Sequence, residues 1–330
     1  MTGLVAALEK VFDRAFLYPH LRRRAKAIIQ FSFNCAGAAY KYRSFRASGK
    51  IIADINKKMR DIAHELSVPN SSEIPKILHF IYGFKKSEEL PFYAYMAVLS
   101  ALHYNPGWRA VFHYHNEPTG VHWEKLKPRL SLNYVGDFDF FGIAPVQHYA
   151  HKADIVRLLA LKNIGGAYLD IDTLTAKCFD PLVRNEFVMG IQANINNYKG
   201  GLCNAVMLSK PRSRFVTRWL SEYASFCSKG RDGLWDHHSV KLPALLSYSY
   251  PEEITVLDHD AFFYPLWMDV DRVLLNAKSG RWKKYLNGAF VFHLWNTFNE
   301  DIINSIDQKY VMTSKSVYAE IARLALRADN

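Results

Sequence analysis

The chain has 330 residues, 49% of them hydrophobic and 22% charged, with a formal net charge of +11. That length and apolar content can bury a large core and fit one big globular domain or two. Thirteen basic side chains against three acidic ones lie in residues 1–60, so almost all of the excess charge belongs there. No recognisable nucleic-acid module accompanies it, and nucleic acid is not an expected partner.

In that first segment Leu4, Val5, Leu8, Val11, Phe12 and Phe16 make one apolar helical face, followed by Arg22, Arg23 and Arg24. The longest uncharged run, Ala27 to Tyr40, has 14 residues and includes Gln30, Ser32 and Asn34. A membrane span needs about 20 predominantly apolar residues, so none is expected. Charges interrupt the first apolar stretch, which argues against a cleavable signal peptide. Two readings remain. A basic amphipathic element can lie on an anionic membrane surface, each nearby cation adding about 1 kcal/mol. Alternatively, a helical extension packs on the rest of the chain with its cations solvated. The first gives an expected localisation that is cytoplasmic and peripheral, on the cytosolic face of a membrane.

Further along, Lys76–Ile81 and Ala110–His115 read as short apolar strands, with a helical pattern from Pro91 to Tyr104 between them. Pro106 and Gly107 make a turn before the second strand. His113/His115 and His148/His151 have too few neighbouring ligands for a closed zinc site. Cys35, Cys178, Cys203 and Cys227 show no paired spacing and read as reduced core thiols.

The stretch from His151 to Thr173 carries the most information. Ile155, Leu158 and Leu159 recur at helical spacing, predicting an amphipathic helix from Ala153 to Lys162. Gly165 and Gly166 end it with the permissive backbone angles of a tight turn. From Ala167 the period becomes two: Ala167, Leu169 and Ile171 face one way, Tyr168, Asp170 and Asp172 the other. The expected strand thus delivers two carboxylates on one side, an arrangement suited to holding a hard divalent cation against a phosphate-bearing ligand. Three further Asp-x-Asp triplets, Asp137/Asp139, Asp258/Asp260 and Asp269/Asp271, lack that upstream context and read as solvated turns or strand ends.

The run Ala153 to Arg157, followed by Gly165 to Asp172, resembles the DXD signature of glycosyltransferase family 32. The large clostridial glucosylating toxins and the animal α1,4-galactosyl- and α1,4-N-acetylglucosaminyltransferases share that signature. Further pieces follow in the family's order. Ile74 to Gly83 resembles the first nucleotide-binding strand, and Asn204 to Met207 with Pro211 the strand beyond the metal site. Phe263-Tyr264-Pro265 and Phe292 to Asn296 resemble the closing motifs. The likeness spans roughly residues 74–298.

The resemblance implies an α/β nucleotide-diphosphosugar transferase domain of the GT-A type over residues 74–330, behind a basic, mainly helical extension over 1–73. It also implies roles. Tyr82 would stack on the nucleotide base; Asp154 and Arg157 would pair near the donor sugar and diphosphate; Tyr168 and Asn204 would lie close to the donor. Asp172 would bind manganese or magnesium directly, Asp170 would meet the ribose or sugar hydroxyls and the metal's outer shell, and His293 would be the distant third ligand. Trp295 and Asn296 would pack against or hydrogen-bond the diphosphate, and Asp236 and His238 are candidates for facing the sugar or acceptor. Arg157 and the metal would stabilise the leaving oxygen. The implied activity is a metal-dependent, retaining transfer from a nucleotide diphosphosugar, UDP-sugar favoured, to a surface glycan or lipid-linked saccharide. Alternatives are a toxin-like protein glucosyltransferase, an inactive peripheral membrane protein and an unrelated metal phosphohydrolase.

Overall fold

The computed structural model describes residues 38–329 apart from 69–71, 86–88, 193–199, 277, 279 and 282–286. The apolar face predicted between Leu4 and Phe16, the Arg22–Arg24 cluster and Cys35 lie outside the described residues. The first described element is helix α1, Ala38–Glu65. Strand β1 (Ile77–Tyr82) leads to helix α2 (Phe92–Tyr104), strand β2 (Arg109–Tyr114) and strand β3 (Leu130–Tyr134). These match the strand–helix–strand pattern read from the sequence, and Gly107 supplies the turn with φ of +81°.

Helix α3, Tyr149–Asn163, starts earlier than Ala153 because His148 caps it, its side chain accepting from the Ala150 amide. Strand β4 (Gly166–Leu169) follows, then β5 (Thr173–Thr175), β6 (Phe187–Ile191), β7 (Leu202–Ser209), β8 (Thr255–Leu257) and β9 (Val291–His293). Helix α4, Asn296–Asn304, leaves β9 through Trp295.

Seven strands form one sheet in the order β8-β6-β7-β4-β1-β2-β3. The pairs β4–β1, β1–β2, β2–β3 and β8–β6 are parallel, while β7 runs antiparallel to both β4 and β6. The expected α/β architecture, a mostly parallel sheet between helical layers, is what the chain forms.

Alternation along each strand sorts side chains to the two faces. Leu78, Phe80, Ala167 and Leu169 join the core under α2, whereas Ile77, Ile81 and Tyr168 join the core under α3. Helix α1 belongs to the second core: Ile55, Met59 and Ile62, spaced four and three apart, are buried there beside Ile155 and Leu159. Its opposite side keeps Arg43, Arg46, Lys50, Lys57 and Arg60 in solvent. Among the described residues, no helix is long and apolar enough to cross a membrane.

The double glycine is required by its surroundings. Gly165 and Gly166 have φ of +73° and +109°. A Cβ on Gly165 would lie 2.8 Å from Pro211, and one on Gly166 would lie 2.4 Å from the Ile77 carbonyl oxygen. Only glycine satisfies both the left-handed angles and the close approach.

One expectation needs correction. The strand does not run on to Asp172: β4 stops at Leu169, and residues 171–172 form a turn before β5. The reason is a change of partner. The Asp170 amide still donates to Ala205 of β7, but Thr173–Thr175 pairs instead with β9 in a separate two-stranded sheet. The turn brings Asp172 beside His293, 121 positions later in the chain, which a continuing strand would not do.

Of the cysteines, Cys203 is buried as expected, but Cys178 is half-buried and Cys227 is exposed. Cys227 follows the 3-10 turn Tyr223–Ser225 at the surface, so the core reading fails for it.

Candidate active site

Two elements deliver the acidic side chains. Asp154 and Arg157 lie one turn apart on α3, whose C-terminus feeds the glycine turn and then β4. Asp170 follows β4, at the carboxyl edge of the sheet where α/β proteins collect ligands.

Arg157 is the hub. Its guanidinium lies 3.1 Å from Asp170 and 3.4 Å from Asp154, and donates to the Asn204 carbonyl at 3.0 Å. It also stacks over the Tyr168 ring at 4.4 Å. Asn204 completes the frame by donating from its side-chain amide to Asp154 at 2.8 Å. Tyr168 donates its hydroxyl to Asp170. The residues the sequence grouped around the donor, Asp154, Arg157, Tyr168, Asp170 and Asn204, therefore form one connected network.

Asp172 has a different set of partners. One of its oxygens lies 3.3 Å from His293 Nε2, and the other accepts the Asn296 backbone amide at 2.7 Å. The candidate ligand atoms of Asp170, Asp172 and His293 all lie within 4.8 Å of one another. This donor set of two carboxylates and an imidazole fits manganese or magnesium chemistry. Among the described residues, buried His293 Nδ1 and Asn296 Oδ1 have no hydrogen-bond partner.

The electrostatics divide the two carboxylates. Burial, reinforced by the negative charge of Asp172, raises the Asp170 carboxyl above its ordinary value despite Arg157. Burial would also raise Asp172, but the His293 charge and the Asn296 amide outweigh it and hold that carboxyl low. Burial pushes the His293 imidazole down, yet Asp172 more than compensates and leaves it raised. Asp154 is held low because Arg157 and His151 outweigh its burial.

The remaining predicted residues have partners of their own. Tyr82 ends β1 half-buried, its hydroxyl donating to the Glu89 carbonyl. Trp295 is pinned by its indole N–H on the Pro265 carbonyl and sits 4.3 Å, ring to ring, from His293. Asp236 pairs with Lys241 at 2.8 Å. His238 is buried against Tyr223 and Phe226, and among the described residues neither of its ring nitrogens has a hydrogen-bond partner. Among the described residues, no hydrogen bond or ion pair links Asp236 or His238 to the Asp170–Asp172–His293 cluster. Burial, then the charge of Asp172 and the nearby Tyr82 and Glu300, pushes the Tyr93 hydroxyl well up. Tyr93, which the sequence reading did not single out, thus feels the charge of Asp172. It looks like one more apolar residue of α2, and no local signal marks it.

Comparison with known proteins gives the class. Residues 97–188 match the family model described as a glycosyltransferase sugar-binding region containing a DXD motif. Over 261 residues the chain is 33% identical to glucan organizing enzyme 1 of Cryptococcus neoformans var. grubii serotype A (strain H99), covering 76% of this chain and 70% of that protein. The chain belongs to the DXD glycosyltransferase family, and its activity is sugar transfer. Among solved structures, the PaToxG glycosyltransferase aligns at 16% identity over 86% of this chain and 96% of its own, with a TM-score of 0.40. Galactosyltransferase LgtC in complex with donor and acceptor sugar analogues aligns at 13% identity over 76% and 95%, with a TM-score of 0.42.

Proposed function

We propose that this chain is a metal-dependent, retaining transferase that moves a sugar from a nucleotide diphosphosugar, UDP-sugar favoured, to a surface glycan or lipid-linked saccharide. The observation that carries the reading is the convergence of Asp170, Asp172 and His293 within 4.8 Å, beside the Arg157 network.

In this reading Asp172 and His293 hold a manganese or magnesium ion, with Asp170 completing the set. A divalent ion held there would supply positive charge that stabilises the departing diphosphate. Arg157 adds a fixed cation at the same edge, while its N–H groups keep Asp154, Asp170 and Asn204 in register. Preorganised charge of this kind is usually the largest catalytic contribution to such a transfer. Tyr82 offers its ring to the nucleotide base, and Trp295 with Asn296 flanks the diphosphate. The acceptor hydroxyl attacks the anomeric carbon from the face the diphosphate leaves; the departing diphosphate keeps the electron pair of the broken bond, and its oxygen takes the hydroxyl's proton. His238 and Asp236 remain candidates for the sugar- or acceptor-facing side.

The name of the related glucan organizing enzyme favours a glycan acceptor over a protein one. Thermal-shift screening of nucleotide sugars with manganese tests the donor, since a ligand binding only the folded state raises the melting temperature. UDP-sugars should stabilise the protein only with the metal present; stabilisation by none of them would refute the reading.

The membrane-surface part rests on the charge of residues 1–60 and the exposed cations of α1. Removing residues 1–60 would also strip Ile55 and Met59 from the core. Deleting residues 1–37 is therefore the cleaner experiment. It should weaken binding to liposomes containing anionic lipid, and undiminished binding would count against this role for that segment.

A further inference from the structure

Across three neighbouring parallel strands, the core under α3 contains a row of polar side chains: His79 on β1, His113 on β2 and Asn133 on β3. All three are buried, with exposures of 0%, 0% and 3%. His79 Nε2 lies 2.7 Å from the Gly165 carbonyl oxygen, and His79 Nδ1 lies 3.0 Å from His113 Nε2. His113 Nδ1 lies 2.8 Å from the Asn133 side-chain amide.

The direction of this chain of bonds follows from its end. A carbonyl only accepts, so His79 Nε2 carries hydrogen and, in the neutral ring, Nδ1 accepts. His113 Nε2 therefore donates to His79, and His113 Nδ1 accepts from Asn133. Every ring nitrogen is satisfied with both imidazoles neutral.

The Gly165 carbonyl at the end of this row belongs to the joint between the two halves of the site. The Gly165 amide donates to Leu161 at the end of α3, the helix that carries Asp154 and Arg157. The next residue begins β4, which leads to Asp170. His79 also explains part of the second glycine: a Cβ there would lie 3.2 Å from His79 Nε2. The imidazole thus occupies the space left by the missing Gly166 side chain.

We propose that His79, backed by His113 and Asn133, is a positioning residue that fixes the glycine joint and thereby the spacing of Arg157 and Asp170 at the ion-binding centre. The inference rests on the metal-centre reading above. Apolar side chains could fill the same volume without needing a continuous set of partners. What they could not do is hold the Gly165 carbonyl.

Two substitutions separate positioning from bulk stability. His79→Gln keeps a donor at the reach of Nε2, whereas His79→Asn is too short to bond Gly165. Manganese binding alone is measured by calorimetry well below the melting temperature of each variant. The concentration for half-saturation should rise about tenfold in His79→Asn, the size expected for loss of an outer supporting bond, and stay near wild type in His79→Gln. Hydrogen exchange over residues 164–172 should accelerate in His79→Asn and not in His79→Gln. Equal manganese affinity and equal exchange in both variants and wild type would overturn the proposal. If wild type bound no manganese, the metal-centre reading would fall, and the exchange comparison would still decide the role of His79.

Discussion

At the scale of single residues, the site is organised by which charges face which. Asp172 has one oxygen on His293 and the other on the Asn296 amide. Asp172→Asn keeps the shape but removes the charge, so metal-dependent donor cleavage should fall at least about a hundredfold. A melting temperature close to wild type would show that the loss is chemical; retained cleavage would exclude Asp172 as the ligand. His293 sets the pH dependence. Its folded pKa is raised above 6.5 by Asp172, so its paired proton contributes stability below that value and the contribution is lost as pH rises through the raised one. A metal must displace this proton, so manganese affinity should weaken as pH falls. Titrations across a pH series should show that slope in wild type and a flatter one in His293→Gln.

Secondary-structure elements meet closely at the glycine joint. Gly166→Ala would force a Cβ against the Ile77 carbonyl at 2.4 Å while the backbone stays at φ of +109°. A loss of about 2–4 kcal/mol, or failure to fold, is expected in urea denaturation. The buried imidazoles impose a second, opposite pH dependence. Burial lowers His79 to about 4 and His113 further below its ordinary 6.5. Their contribution is complete above about pH 6.5 and is lost as pH falls from there through the folded values. Acid unfolding of His79→Gln should therefore be shallower over pH 4–6.5 than that of wild type. Helix α3, the double glycine and β4 were legible because each has a distinct local signature: helical apolar spacing, permissive angles, then alternation. The end of β4 was not, since Ile171 and Asp172 continue the alternation by type and only the pairing of β5 with β9 breaks it.

For the whole molecule, α1 matters because it is core as well as charged surface. Met59 is fully buried beside the α3 layer. Met59→Ala should cost about 2–5 kcal/mol in denaturant unfolding, the range for emptying a packed site, whereas a helix merely resting on the surface would lose far less. Lys50→Glu and Arg60→Glu, both on the solvent side, should leave that stability within about 0.5 kcal/mol. Sequence reading left packing and membrane contact as rivals for the basic segment. Over residues 43–65 the helix does the packing with one face and presents cations with the other, because apolar residues spaced four and three apart occupy only one stripe.

The order of elements, the turn chemistry and the family signature around Asp170 were fixed locally, by periodicities of two and 3.6 and by glycines whose angles no other residue adopts cheaply. Tertiary structure alone decided which distant groups meet: His293 with Asp172 through the β5–β9 pairing, Asn204 with Asp154 across β7, and His79 with the carbonyl of Gly165. Backbone preference acts between near neighbours along the chain. Strand pairing and side-chain packing act between groups a hundred residues apart, and they exist only once the sheet has closed over its two cores.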